Sequence, residues 1–137
     1  MSTIQQELGA EVWLDRRGRR YTSGETLSGH YRLGGWREAE LQHIELSVLW
    51  YTAGQGEEDF GVHDFVRRRE ASLPRRIDEQ PLSFSSTLPS TPWSYDGQLV
   101  KVCWAVRLRG FFAGSKQRVV ETAFWLGPTA EERGRRS

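Results

Sequence analysis

Apolar and polar residues alternate along this chain with a period of two. From Leu41 the sequence reads LQHIELSVLWYT. Ile44, Leu46, Val48 and Trp50 share one face, while His43, Glu45, Ser47, Leu49 and Tyr51 share the other, which predicts a long half-buried strand. QLVKVCWAVRLRG, from Gln98, repeats the pattern. Val100, Val102, Trp104, Val106 and Leu108 face one way, with Lys101, Cys103, Ala105, Arg107 and Arg109 opposite. These two strands either pair or face each other across a core, and the pattern alone does not choose. Shorter alternations predict further strands at Val12–Leu14, at Leu27, Gly29, Tyr31 and Leu33, at Phe60, Val62, Asp64 and Val66, at Leu82 and Phe84, and at Val120, Thr122, Phe124 and Leu126. About seven strands separated by Gly, Pro, Asp and Ser clusters indicate an all-β, immunoglobulin-like antiparallel sandwich. No segment has the 3.6-residue period of an amphipathic helix of about ten residues or more.

The chain has 137 residues. Residues 1–128 are expected to form one sandwich domain, and 129–137 a polar, disordered tail. A chain of this size hides roughly two-thirds of its extended surface on folding. Six Trp, six Phe and four Tyr supply bulky core material. Trp50 and Trp104, both mid-strand on apolar faces, are expected to be core residues, and truncating either to Ala is expected to be severe.

Charge removes some functions. The 19 basic and 18 acidic residues leave a net charge of +1, so no nucleic-acid partner is expected. No run approaches about 18 apolar residues, so no stable membrane insertion is expected. Met1–Glu7 lacks a basic run followed by an apolar one and is not expected to act as a signal peptide. Together with a single cysteine, these features point to a cytoplasmic protein.

Three segments, taken in order, resemble arrestin-like domains. Tyr21-Thr22-Ser23-Gly24-Glu25-Thr26-Leu27-Ser28-Gly29 matches their early Y-x-x-G-E-x-(apolar)-x-G run. Gly24 suits a turn, and Gly29 suits a close approach inside a strand. The long strand around Ile44–Trp50 is the second segment. The third runs from Phe84 through Leu88-Pro89 and Pro92-Trp93-Ser94-Tyr95 to Asp96-Gly97, and is similar to the family's Pro-rich loop before a strand. Pro89 and Pro92 remove amide donors and favour extended backbone. The resemblance covers residues 12–126, only one of the two sandwiches of full arrestins. It looks closer to compact bacterial arrestin-like proteins, including sporulation-control proteins, than to receptor arrestins, whose phosphate-sensing elements find no match. It implies an adaptor or scaffold without catalytic residues or a cofactor. The partner would be a protein, either a second copy or a multiprotein complex.

Candidate chemistry is sparse. Cys103 is the only thiol, and His30, His43 and His63 are the only histidines. Cys103 and His43 both lie on outward faces, so a nucleophile–base contact is conceivable, though no activating motif surrounds the cysteine. GEEDFGVHD, from Gly56, offers oxygen ligands without the spacing of an EF-hand or a zinc site. It reads as a solvated acidic loop. The basic residues are nearly all Arg. Arg16, Arg17, Arg19 and Arg20 occupy a turn, and Arg67, Arg68, Arg69, Arg75 and Arg76 flank a second loop. Such clusters suit bidentate contacts to an acidic or phosphorylated partner, though a charged edge that blocks sheet-to-sheet aggregation is the plainer reading.

Trp13, Trp36, Trp93, Tyr51 and Trp125 fall off the main apolar faces. The expected partner-binding residues are Trp36, Trp93, Tyr51, Arg67, Arg69 and Arg75, acting through a strand edge or an aromatic loop. The alternative is a carbohydrate or lipid-headgroup module in which Trp36 and Trp93 stack on the ligand.

Overall fold

A computed structural model describes residues 9–75 and 81–135. In chain order the strands are β1 (Glu11–Leu14), β2 (Arg20–Thr22), β3 (Thr26–Arg32), β4 (Leu41–Gly54), β5 (Phe60–Arg69), β6 (Leu82–Thr87), β7 (Tyr95–Asp96), β8 (Val100–Phe112) and β9 (Lys116–Gly127). Two 3-10 turns, Gly34–Ala39 and Glu70–Ser72, follow β3 and β5, and a short helix α1 (Ala130–Arg135) follows β9.

These strands form two sheets. The smaller has the order β1-β3-β6. The larger has the order β2-β9-β8-β4-β5, with β7 pairing beside β8. The two long period-two segments are therefore sheet neighbours, with Leu46 opposite Leu108, Val48 opposite Val106 and Trp50 opposite Trp104. The pairing is antiparallel throughout except for β2, which runs parallel to β9. Among the described residues, nine strands stand in place of the expected seven, because β2 and β7, of three and two residues, are too short to show a period.

The alternating positions define the core as read from the sequence. Ile44, Leu46 and Val48 from β4, Trp104, Val106 and Leu108 from β8, and Phe124 and Leu126 from β9 pack with Val12, Leu14, Leu27 and Tyr31 of the smaller sheet. The Thr122 hydroxyl donates to the Val12 carbonyl at 2.6 Å and ties β9 to β1. Two expectations need correction. Trp50 is only partly buried, whereas Trp104 is 1% exposed. Leu49, on the outer face of β4, is also buried, set between the flanking strands β5 and β8.

Local chemistry explains the first motif. Gly24 has φ +83° in the turn between β2 and β3, where a side chain would be strained. The Glu25 amide donates to the Thr22 carbonyl at 3.1 Å and closes the turn. The Glu25 carboxylate accepts the Thr22 amide at 2.7 Å and both terminal nitrogens of Arg16 at 3.0 and 3.2 Å. These donors, led by Arg16, lower the Glu25 pKa to about 2. At Gly29, a Cβ would lie 2.2 Å from the Trp13 carbonyl oxygen, so only glycine lets β1 and β3 approach this closely.

Residues 130–135, polar in sequence, are helical. The Thr129 amide donates to Glu132 Oε1 at 2.8 Å and the Glu132 amide to Thr129 Oγ1 at 3.0 Å, a reciprocal capping box. Met1–Glu7 lie outside the described residues, as does Arg76.

Candidate interaction surface

The outer edge of the larger sheet is β5, a ten-residue strand with no partner strand on its far side among the described residues. Its sequence, FGVHDFVRRR, does not keep a clean period of two. The reason is a shift in its ladder with β4 between Val48 and Leu49, a bulge at His63-Asp64. Across it, Phe60 faces Tyr51, Val62 faces Leu49, Phe65 faces Ser47 and Arg67 faces Glu45, so these β5 side chains share the outer face. Asp64 and Val66 lie opposite Val48 and Leu46 on the inner face. The expected grouping of Phe60, Val62, Asp64 and Val66 on one face is thus corrected: the bulge moves the first two to the opposite side.

Phe60 is 63% exposed, Val62 49%, Phe65 51% and Val66 42%. Among the described residues, only Tyr95 and Leu99 are comparably exposed large apolar side chains. Backbone groups along this edge make only local bonds in two places. The Phe60 amide donates to the Asp59 carboxylate and the Phe65 amide to the Asp64 carboxylate, each at 2.9 Å. His63 turns inward, edge-on to Trp104, with Nε2 2.7 Å from the Thr87 carbonyl of β6. A cleft of about 110 Å³ separates β5 from β6, lined by Leu46, Val48, Val66 and Phe84.

Charge is graded along β5. Glu57, Glu58 and Asp59 precede it, and Arg67, Arg68 and Arg69 end it; all six are exposed. Arg67 donates to His43 Nε2 at 2.9 Å and lies 3.8 Å from Glu45. Burial, followed by the Arg67 charge, lowers the His43 pKa, so the ring accepts this bond as the neutral imidazole. Its face stacks on Phe111 at 4.2 Å. Gln42, His43, Arg67 and Arg69 line a basic depression.

The sequence-selected residues separate into two groups. Tyr51, Arg67 and Arg69 share the outer face of β4 and β5, but Tyr51 lies at the opposite end of the ladder from Arg67 and Arg69. Arg75 is exposed after the second 3-10 turn. Trp36 is a correction: it is fully buried, edge-on to Phe112 at 5.6 Å and packed over Gly110. It is the plug of the Gly34–Ala39 turn and presents nothing to a partner. Trp93 is half-buried against the core, and its indole N–H donates to Ser23 Oγ at 3.3 Å. The first Arg cluster is also engaged, with Arg16 on Glu25 and Arg20 over the Trp125 ring at 5.3 Å. Sequence reading missed Val62 and Phe65, whose signal was the absence of any clean alternation around them.

Cys103 and His43 do not meet. Cys103 sits opposite Tyr51, and His43 opposite Phe111, eight positions apart along β4. At ~3.3 Å per residue that is roughly 26 Å. Among the described residues, no three His, Cys, Asp or Glu side chains gather in a way that could hold a metal ion.

No protein-family model matches the chain, and no curated protein does. Among solved structures, the sporulation control protein Spo0M from Bacillus subtilis aligns with probability 1.00 and a TM-score of 0.56, at 14% sequence identity. The fold is arrestin-like. The alignment covers 90% of this chain but 51% of that one, so the chain spans about half the length of Spo0M. In this arrestin-like sandwich the two motif segments neighbour each other: the Gly24 amide donates to the Leu88 carbonyl, and the Leu88 amide to the Glu25 carbonyl. The Pro-rich loop then hands Pro92 O to the Trp104 indole at 2.7 Å. No helix among the described residues is long and apolar enough to cross a membrane.

Proposed function

We propose that this domain is a non-catalytic adaptor or scaffold, acting in the cytoplasm, that binds a protein partner through the β5 edge and the outer sheet face beside it. One observation carries the reading: a long edge strand keeps Phe60, Val62, Phe65 and Val66 in solvent beside a row of backbone groups that no other strand pairs among the described residues. Exposed edges of this kind are normally blunted or paired, and strand addition is the standard way a partner uses them. The arrestin-like neighbour, a sporulation control protein, adds a regulatory precedent. A catalytic reading would need a base near Cys103, and His43 is too distant. The ligand-module reading loses Trp36 as a stacking platform, since that ring is buried.

The test is a comparison of baits in affinity capture. The wild-type chain and a Cys103→Ser variant are expected to retain the same stoichiometric partner, and a Val62→Lys/Phe65→Lys variant to lose it. Retention by the β5 variant, or loss on Cys103→Ser, overturns the proposal.

A further inference from the structure

We infer that β5 pairs antiparallel with the β5 strand of a second copy, joining two larger sheets into one continuous sheet across a twofold axis. The inference rests on the reading of β5 as a contact edge and names its occupant. The argument is self-complementarity. A twofold axis brings the same strand back upon itself in reverse, so a self-pairing edge must complement its own reversal. The β5 region does. Its leading end is acidic (Glu57, Glu58, Asp59), its trailing end basic (Arg67, Arg68, Arg69), and its centre apolar (Val62, Phe65).

Register follows from the bulge. On β5 the backbone groups that point away from β4 belong to the outer-face residues: the Phe60 and Phe65 amides bond neighbouring carboxylates instead of β4, and alternation along the strand extends this direction to every second residue. On β5 these are Phe60 and Val62 before the bulge, and Phe65, Arg67 and Arg69 after it. Centring the axis between His63 and Asp64 lays one bulge against the other. Val62 then faces Phe65, Phe60 faces Arg67 and Glu58 faces Arg69, each pair occurring twice. Apolar side chains meet apolar ones or a guanidinium, which packs well on an aromatic face. The bonds from the Phe60 and Phe65 amides to Asp59 and Asp64 are local, and an incoming strand replaces them. An unrelated acidic or basic partner would match only one end of this strand.

Sedimentation equilibrium on the full chain tests the idea. The wild-type protein is expected to dimerise with rising concentration, and less so as salt rises. Glu58→Arg and Arg69→Glu each create two like-charge contacts and are expected to raise the dimer Kd roughly tenfold or more. An equimolar mixture of these two variants restores the dimer as a heterodimer, a result that a merely structural effect does not produce. Phe65→Lys removes the apolar centre and leaves a monomer. All three positions are exposed, so unchanged circular dichroism confirms intact folding. A wild-type chain that stays monomeric at every concentration and salt level overturns the inference and makes the two aspartates edge protectors only. So does a dimer indifferent to all three variants. A monomer that still captures a protein through β5 overturns the self-pairing alone, whereas a β5 dimer that captures no partner overturns the adaptor reading alone.

Discussion

The period-two pattern treats Trp50 and Trp104 as equals, and the structure separates them. They are cross-strand partners on the inner face of the larger sheet. Trp104 is 1% exposed, its ring lies 5.7 Å from Phe124, and its N–H donates to the Pro92 carbonyl at 2.7 Å. Trp50 sits nearer the β5 edge, is partly buried, and covers Gly61 with its indole. Truncating a buried Trp to Ala costs about 3–5 kcal/mol. Trp104→Ala belongs at the upper end and also strands the Pro92 carbonyl, worth about 1 kcal/mol more. Trp50→Ala exposes less surface and should cost about 2 kcal/mol. Domains of this kind have about 5–15 kcal/mol in total. With about 3–4 °C lost per kcal/mol at this chain length, Trp104→Ala should lower Tm by about 18–24 °C or prevent folding, and Trp50→Ala by about 7 °C. Trp104→Phe keeps most of the ring and loses the hydrogen bond, so it should fall between the wild type and Trp104→Ala. Thermal and urea unfolding followed by circular dichroism measure all three. Equal losses for the two alanine variants, or a larger loss at Trp50, refute the reasoning.

Two glycines in the first motif should respond differently to the same substitution. Gly29→Ala drives a Cβ to 2.2 Å from backbone and should cost at least ~3 kcal/mol, whereas Gly24→Ala meets open space and should cost only the ~1–2 kcal/mol of its positive φ. Urea unfolding distinguishes them, and equal values would refute the close-approach argument. Glu25 gives a pH signature. Its folded pKa of about 2 lies below the ordinary 4.5, so its contribution is complete above 4.5 and is lost as pH falls from 4.5 through 2. Because Glu25 is largely solvated, the contribution is about 1 kcal/mol, well below full linkage for such a shift. The Tm difference between the wild type and Glu25→Gln should be constant above pH 5 and vanish near pH 2; a difference independent of pH contradicts the staple. At the end of the described chain, Thr129→Ala removes the helix cap and should cost about 1 kcal/mol of local stability, read as faster amide exchange over residues 132–135.

What the sequence made legible follows from how strands are read. A long strand with one covered face leaves a strong period, and β4, β8 and β9 were visible for that reason. The Y-x-x-G-E run and Pro-rich loop were visible because turns and close approaches restrict residue type. The α1 helix had a signal in Thr129-x-x-Glu132, obscured by the polarity around it. Trp36 was misplaced because a 3-10 turn carries its side chain into the core without any periodic neighbour.

The interaction surface was harder to read, for a reason specific to edges. Alternation reports which residues share a face, but not whether anything covers that face. Leu49 and Phe65 lie on the same outer face of adjacent strands; Leu49 is 3% exposed and Phe65 51%. The difference is position in the sheet, since Leu49 has strands on both sides and, among the described residues, β5 has one on its inner side only. Hydrophobic composition therefore makes β5 resemble a core strand. Its irregular period and the charge reversal from Glu57–Asp59 to Arg67–Arg69 set it apart. Neither sign is needed to bury a strand against a core, where charge is costly and regular alternation is favoured. Both fit a strand whose remaining contacts lie outside the domain.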